Sequence, residues 1–257
     1  MAPDLPLDLA GRVALVTGGA SGIGAGVCRM LARCGARVVV CDIDHAGASA
    51  VAEELGGAAV RCDVSVLADN EAAVSAAVAM FGGVDIVVLN AGVDSLNLSL
   101  DHFDEVAYRR AMGVNLDGVV FGLAAAVPAL RTRGGGRVVV LASLAGLAPV
   151  PMDPVYSANK AAVVNLVRSI GPGLAAQGMV VNAVCPGFAD TPIVDPVREF
   201  LESIRMPLLS VEDVVVAVAT VLGSESGGEA WIVQPGRPAQ PYQFRGVPGP
   251  AAPRSAP

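Results

Sequence analysis

The sequence predicts a single α/β domain, built on a doubly wound parallel sheet of about seven strands with helices on both faces. Short β-branched segments alternate with alanine-rich segments of helical character, which is the pattern of repeated strand–helix–strand units. Several strand segments are apolar throughout, as at 138–140, so both faces of the sheet should be covered. The 257 residues, 53% of them hydrophobic, are enough to bury one large core.

The expected elements follow one another from the N-terminus, and glycines mark several of their ends. Gly35, Gly56 and Gly82 close the first three helices, because glycine readily adopts the left-handed conformation that ends a helix. The fourth helix is long and is broken near Gly113. Strands are expected at 12–17, 37–41, 58–62, 85–89, 137–142, 179–185 and 230–234. Helices are expected at 21–34, 46–55, 65–81, 103–128, 155–173 and 211–222.

Composition and charge exclude several classes of function. A net charge of −7 with no basic face argues against nucleic acid as a partner. The longest uncharged apolar run, 138–151, is shorter than the roughly 20 residues of a membrane span. The N-terminus has no signal-peptide pattern, so we expect a cytoplasmic protein without membrane contact. The five cysteines form no C-x-x-C pair and are interpreted as buried apolar residues, with no metal site.

A glycine-rich turn lies between the first strand and the first helix. Residues 17–24 read TGGASGIG, so that Gly18, Ser21, Gly22, Ile23 and Gly24 lie at or beside the helix N-terminus. Glycines let the backbone approach a pyrophosphate, and the unpaired N–H groups of a helix N-terminus attract an anion. A tight turn alone would use the same residues, but the complete strand–turn–helix unit favours dinucleotide binding.

Asp42 ends the second strand, 18 residues after Gly24, and Ile43 follows it. A carboxylate at this place accepts hydrogen bonds from the adenosine ribose hydroxyls and repels a 2′-phosphate, so the expected cofactor is NAD rather than NADP. The alternative for Asp42 is a cap on the following helix, for which Asp44 is better placed.

Two further strand ends are candidate cofactor contacts. Asp63 and Val64 follow the third strand, where the carboxylate could bond the adenine amino group. Asn90, Ala91 and Gly92 follow the fourth strand, where small residues let the backbone pass close to the cofactor. Ordinary turn chemistry explains each of these segments about as well.

A Tyr-x-x-x-Lys pair is the first candidate for catalysis. Tyr156 and Lys160 are four residues apart at the start of a helix and so lie on one side of it. A lysine cation near the phenol lowers the tyrosine pKa, which fits Tyr156 for proton transfer with an alcohol or a carbonyl. Ser143 follows the fifth strand, where it can hydrogen-bond the substrate oxygen. Asn115 is either the kink residue of the long helix or the anchor of a water beside Lys160, and both can hold.

These motifs together resemble the short-chain dehydrogenase/reductase family in order and spacing. They are TGGASGIG (17–24), Asp42, CDV (62–64), LNAG (89–92), Asn115, Ser143, YSANK (156–160) and PGFADT (186–191), and they span about residues 10–235. The resemblance implies a Rossmann fold with a catalytic tetrad of Asn115, Ser143, Tyr156 and Lys160. It also implies that Pro186, Gly187, Ala189 and Thr191 hold the nicotinamide carboxamide.

A narrower similarity is to the NAD-dependent 15-hydroxyprostaglandin dehydrogenases, carried by residues 143–160 and by VCPGFADTPIV (184–194). It implies oxidation of a secondary alcohol by Tyr156 with NAD. The sequence departs from the family at Leu89 and Asn159, and from the prostaglandin enzymes at Asp153. In the prostaglandin enzymes the position of Asp153 faces substrate, so a carboxylate at this position would change which substrate is bound. Asp153 and Phe188 are therefore candidate substrate contacts beside Ser143 and Tyr156.

The family also implies a substrate lid at about 190–210 and a homotetramer or homodimer. Apolar residues at helical spacing in the lid, Val197, Leu201 and Ile204, favour a small apolar alcohol or ketone as substrate. Imine reduction, dehydration, epimerisation and NAD binding without catalysis remain alternatives. The tail, 236–257, is rich in Pro, Gly and Ala, and is either solvated or a strap in which 242–245 packs on a neighbouring subunit.

Overall fold

Eight strands form one sheet in a computed structural model that describes residues 7–95, 98 and 101–246. The spatial order is β3-β2-β1-β4-β5-β6-β7-β8, and every pairing is parallel except the last. The strands are β1 Val13–Thr17, β2 Arg37–Asp42, β3 Ala58–Arg61, β4 Ile86–Leu89, β5 Gly136–Leu141, β6 Met179–Pro186, β7 Ala230–Val233 and β8 Gln240–Pro241. The predicted doubly wound parallel sheet is confirmed.

The helices lie on both faces of this sheet. They are α1 Gly22–Arg33, α2 His45–Leu55, α3 Leu67–Phe81, α4 Glu105–Met112, α5 Gly118–Thr132, α6 Pro154–Ala175, α7 Arg198–Ser203 and α8 Val211–Leu222. Successive strand residues face opposite sides, so Val38 and Val40 join one buried cluster with α1 and α8. Val39 and Cys41 join the other cluster, with α3, α5 and α6. This division explains why the strands are apolar throughout.

The strand order reverses between β1 and β4, because β2 and β3 lie on one side of β1 and the later strands on the other. Open α/β sheets bind ligands beside such a reversal, outside the carboxyl ends of the strands. Here Thr17 ends β1, and its hydroxyl accepts hydrogen bonds from the backbone N–H groups of Asn90 (3.1 Å) and Ala91 (3.3 Å). The two strand ends are thus joined where a ligand would lie.

The long central helix is broken as predicted but ends later than predicted. A π-helical turn, Gly113–Asp117, separates α4 from α5 and confirms the break near Gly113. The predicted end at Pro128 is wrong, because α5 continues to Thr132. Leu130 is fully buried and holds the last turn against the core, so the hydrogen bond that proline removes does not end the helix. Similarly, α6 continues through Pro172 to Ala175.

By length and composition alone, the helical run Glu105–Thr132 would be long and apolar enough to cross a membrane, which the sequence analysis had not noted. In this fold its buried side, with Val119, Leu123 and Ala126, belongs to the core beneath the sheet. Core helices of α/β proteins pass the same test, so the run is weak evidence for a membrane span.

The C-terminal tail contributes an eighth strand that the sequence analysis did not predict. Gln240–Pro241 pairs antiparallel with β7, and Tyr242 N–H donates to Ala230 O at 2.7 Å. Residues 242–245 also make contacts within the chain, and their packing on a neighbouring subunit stays a prediction. Phe244 lies under the Arg168 guanidinium, with 3.5 Å from Cζ to the ring centroid. The strand was missed because it is only two residues long and one of them is proline, which is depleted in strands.

The predicted lid forms a 3₁₀ turn, Pro192–Val197, followed by the short helix α7. Leu201 is buried, whereas Ile204 lies beyond the end of α7 and is 48% exposed. The apolar stripe expected at helical spacing through Val197, Leu201 and Ile204 is therefore interrupted, because Ile204 is not part of the helix.

Candidate active site

The candidate residues converge at one edge of the sheet because each follows the carboxyl end of a parallel strand. The glycine turn follows β1, Asp42 ends β2, and Asn90 follows β4. Ser143 comes two residues after β5, and Pro186 ends β6. In a parallel sheet these ends lie side by side, so the predicted site residues become neighbours although up to 170 positions separate them.

The glycine turn, residues 17–24, is called the cradle below, and its backbone leaves no space for side chains at some of its glycines. Gly18 has a φ of +64°, and a Cβ on Gly24 would lie 1.9 Å from Gly18 O. A side chain is therefore excluded at Gly24. Ser21 is the N-cap residue of α1 but makes no side-chain cap, and the first helical hydrogen bond runs from Ala25 N to Ser21 O. The N–H groups of Gly22, Ile23 and Gly24 are thus left for an anion, as a pyrophosphate requires.

Asp42 is held beside this cradle. One carboxylate oxygen accepts from Ala20 N and the other from Asp44 N, both at 3.0 Å. The helix cap is supplied by Asp44, which accepts from Gly47 N at 3.1 Å, so the expectation that Asp44 rather than Asp42 caps α2 is confirmed. Ile43 is 59% exposed next to Asp42, where it would border an adenosine moiety.

Asn90 and Asp63 are engaged in turns, as the alternative interpretation anticipated. The Asn90 side-chain amide donates to Thr17 O and Gly18 O, both at 3.0 Å, and so holds the cradle in shape. One Asp63 oxygen accepts from the Ser65 N–H and hydroxyl at 3.0 and 2.6 Å. Val64 is buried against Gly118.

Ser143, Tyr156 and Lys160 lie together at the carboxyl end of β5. A hydrogen bond from Ser143 reaches the Tyr156 phenol, and Lys160 Nζ lies 5.5 Å from the centroid of its ring. Lys160 is buried, and its ammonium donates to Leu141 O at 2.8 Å. The three side chains therefore form one constellation, brought together by the end of β5 and the first turns of α6.

Burial shifts the pKa values of both Tyr156 and Lys160. Burial raises the pKa of Tyr156 to about 12, the Ser143 hydrogen bond lowers it, and the charges of Asp153 and Asp94 raise it. Burial lowers the pKa of Lys160 to about 8. In the chain itself, burial of the phenolate therefore outweighs any lowering of the tyrosine pKa. The lowering expected from Lys160 together with the positively charged nicotinamide ring stays a prediction.

Asn115 lies in the π-helical turn and is completely buried. Its side-chain amide donates to Val93 O, and its side-chain oxygen accepts from Val93 N, both at 2.8 Å. Asn115 is thus the kink residue of the long helix, and its side chain fixes the segment after β4. The second expected role, anchoring a water beside Lys160, stays a prediction.

The segment after β6 approaches the glycine cradle from the other side. A Cβ on Gly22 would lie 3.7 Å from the Thr191 methyl carbon. Gly187 N donates to Val233 O at 3.0 Å, and Ala189 is buried in a bridge to Leu209. Phe188 is partly exposed at the same edge. These positions suit the expected contact with a nicotinamide carboxamide.

Asp153 has a structural role that the sequence analysis did not assign. It is the N-cap residue of α6, where its carboxylate accepts from Tyr156 N at 3.1 Å. The same carboxylate accepts from the hydroxyl and the N–H of Ser95, and the residue is 6% exposed. Its direct contact with a substrate is therefore not supported, because intramolecular donors occupy the carboxylate.

Sequence reasoning missed Asp94 and Ser95, which the structure brings to the site. They directly follow the small-residue turn after β4, which was the available signal. Asn159 is a second surprise, since neither polar atom of its buried side chain has a hydrogen-bond partner among the described residues.

The residues at this edge fit a nicotinamide dinucleotide. The bare cradle and the open helix N-terminus suit a pyrophosphate, and Asp42 lies where a ribose would follow. Ser143, Tyr156 and Lys160 lie beyond β4, on the side where the nicotinamide end would extend.

Comparison with known proteins agrees with this geometry. Residues 12–202 match the family profile described as short chain dehydrogenase. The cis-4-hydroxycyclohexanecarboxylate dehydrogenase of Sinomonas cyclohexanicum is 42% identical over 188 residues, covering 71% of this chain and 75% of that protein. The 3-alpha-(or 20-beta)-hydroxysteroid dehydrogenase of Mycobacterium bovis is 36% identical over 234 residues, covering 89% and 90%.

A solved structure is also similar over nearly its whole length. The 3-ketoacyl-(acyl-carrier-protein) reductase from Brucella melitensis, complexed with NADH, has a TM-score of 0.83 and 35% sequence identity. The match covers 89% of this chain and 99% of that one.

Proposed function

This chain belongs to the short-chain dehydrogenase family, whose members are oxidoreductases with a nicotinamide cofactor, and we propose that it is an NAD-dependent enzyme that interconverts a secondary alcohol and a ketone. The observation that carries the proposal is the constellation of Ser143, Tyr156 and Lys160 beside a glycine cradle. When bound, the nicotinamide ring accepts or donates the hydride.

The chain's own residues would manage the proton and the substrate oxygen. As the phenolate, Tyr156 takes the proton of the alcohol during oxidation, and as the phenol it returns that proton to the carbonyl oxygen during reduction. Ser143 donates a hydrogen bond to the same oxygen as its charge changes. Lys160, held on Leu141 O, places a positive charge near the phenol. Asn115 keeps the neighbouring segment fixed through Val93.

The preference for NAD is supported by Asp42. Its carboxylate is fixed on Ala20 N at the edge of the cradle, where a ribose hydroxyl could donate to it. A 2′-phosphate at the same place would meet a negative charge. The NADH named for the solved relative is consistent with this preference.

The substrate class is supported by the named relatives, which are dehydrogenases of hydroxycyclohexanecarboxylate and hydroxysteroids. Partly or fully exposed apolar side chains near the site, Met152, Phe188 and Phe200, suit a cyclic or aliphatic body. The narrower resemblance to 15-hydroxyprostaglandin dehydrogenases stays a prediction.

The proposal is tested by following the absorbance of reduced nicotinamide with NAD and with NADP, using a panel of cyclic and aliphatic secondary alcohols. We expect turnover with NAD and a loss of about 10²- to 10⁴-fold in kcat for Tyr156→Phe. The matched control is Tyr108→Phe, which removes the same atom from a phenol stacked on Phe103 in the segment around α4. Tight NAD binding without turnover of any alcohol would contradict the proposal and favour a binding function or another reaction.

A further inference from the structure

The segment 92–95 crosses the candidate active site and is anchored at both ends. A Cβ on Gly92 would lie 3.7 Å from Lys160 Nζ, so this end borders the catalytic lysine. The Asn115 side chain bonds both backbone groups of Val93. At the other end, Asp153 accepts from Ser95 N at 3.3 Å and from its hydroxyl. Asp94 is therefore positioned between two fixed residues.

Asp94 itself is partly exposed and makes no hydrogen bond or ion pair within the described part of the chain. It differs in this from Asp153, whose oxygens are occupied by Ser95 and Tyr156 N. The Asp94 charge is among the causes that raise the pKa of Tyr156, which places the carboxylate within electrostatic range of the phenol. The basic side chain that borders the segment, Lys160, is engaged elsewhere, since its ammonium donates to Leu141 O.

We propose that Asp94 is a specificity-determining residue, whose carboxylate favours substrates with a positively charged group on the ring that bears the carbinol carbon and disfavours negatively charged ones. The inference rests on the proposed function and deepens it. A preorganised carboxylate without an internal partner attracts an ammonium group and repels a carboxylate. The anchoring matters, because the Asp94 backbone cannot move away from the site without breaking the bonds of Val93 or Ser95. The chain would thus differ from its relative named for hydroxycyclohexanecarboxylate.

The test uses three cyclohexanols of similar shape, with amino, methyl or carboxylate substituents at carbon 4. Wild-type protein with NAD should have a higher kcat/KM for 4-aminocyclohexanol than for 4-hydroxycyclohexanecarboxylate. Asp94→Asn should lower the first and raise the second, each about tenfold, which corresponds to about 1.4 kcal/mol per charge. The ratio of the two should therefore fall about a hundredfold, and added salt should reduce it in the wild type.

The control is Asp101→Asn, which removes an exposed carboxylate a few residues further along and should leave the ratio unchanged. An unchanged ratio in Asp94→Asn, or an equal change in Asp101→Asn, would overturn the inference. If Asp94→Asn folds poorly, Asp94→Ser provides the same comparison. Failure of the proposed function is distinguishable, because the wild type would then not oxidise neutral 4-methylcyclohexanol either. In that case, calorimetric binding of the amino and carboxylate compounds to NAD-saturated protein decides the inference by the same ratio.

Discussion

Replacing Asp42 with asparagine should change the cofactor preference, because this substitution removes one charge at nearly constant shape. Asp42 ends β2 and is partly exposed, with its two oxygens 3.0 Å from Ala20 N and Asp44 N. Asparagine keeps one acceptor for these donors and loses the other. The local turn should therefore persist, while the repulsion of a 2′-phosphate disappears.

The size of the effect follows from the charge and its surroundings. Two unit charges about 4 Å apart interact with about 1 kcal/mol in water and about 4 kcal/mol at an effective dielectric constant of about 20. A partly exposed carboxylate lies between these limits, so we take about 2–3 kcal/mol. This predicts a rise of about 30- to 150-fold in kcat/KM for NADP. For NAD we expect a fall of about tenfold, because hydrogen bonds to a charged acceptor are stronger than those to an amide.

The assay is the initial rate of reduced-nicotinamide formation at saturating alcohol, with each cofactor varied in turn. Asp44→Asn is the matched control, since it removes a carboxylate two residues away that caps α2 through Gly47 N. Because asparagine caps a helix about as well as aspartate, it should change thermal stability little and leave the NADP/NAD ratio unchanged. The quantity compared is the kcat/KM for NADP divided by the kcat/KM for NAD. If this ratio in Asp42→Asn stays within about threefold of the wild type, Asp42 is not the ribose carboxylate.

Three further predictions concern stability and assembly. Asp85 is buried, and although burial favours its neutral form, hydrogen bonds from Val13 N and Arg133 hold its pKa below the ordinary 3.8. Asp85→Asn should therefore lower the free energy of unfolding by about 1–3 kcal/mol at neutral pH. In thermal melts at acid pH, this difference from the wild type should shrink as the pH falls below 3.8 and through the lowered pKa of Asp85; a difference that does not depend on pH would contradict the prediction. Asn159→Leu should raise Tm, because it removes a buried amide without a partner in the described chain; a lower Tm would show that the amide is satisfied. Deleting 238–257 should lower Tm through loss of β8 and leave the number of subunits per particle unchanged, as measured from the mass in solution. Fewer subunits per particle would show that the tail joins subunits.

Local patterns predict the parts of the fold that local chemistry determines. The seven expected strands and the other five helices are present with ends shifted by one or two residues, because apolar β-branched runs and helix-ending glycines act over short distances. The break near Gly113 was also predictable, since asparagine and glycine are poor residues for a helix interior. The strand order and the pairing of Gln240–Pro241 depend on contacts between distant segments, which no local pattern encodes.

The sequence predicted which residues lie at the site better than it predicted what each residue does there. The sequence identified Asn90 at a strand end, Asn115 inside a helix and Asp153 by its departure from similar enzymes. For Asn90 and Asn115 a structural role was expected as an alternative to a ligand or water contact. In the structure each of them bonds the backbone of a neighbouring loop, at Thr17, Val93 and Ser95 respectively. A sequence shows which polar side chains are present but not which buried backbone groups need them.

Some polar side chains of the site therefore bond backbone groups while others are placed for chemistry, and substitutions of the two kinds are interpreted differently. Buried backbone donors and acceptors in irregular segments must be satisfied, and here side chains satisfy them because no strand continues beyond β4. Losing Asn115 or Asp153 would release Val93 or Ser95 and so move Asp94 and Gly92, the latter of which borders Lys160. Activity lost in such variants would therefore report the position of the segment 92–95, while loss at Ser143 or Tyr156 would report the chemistry itself.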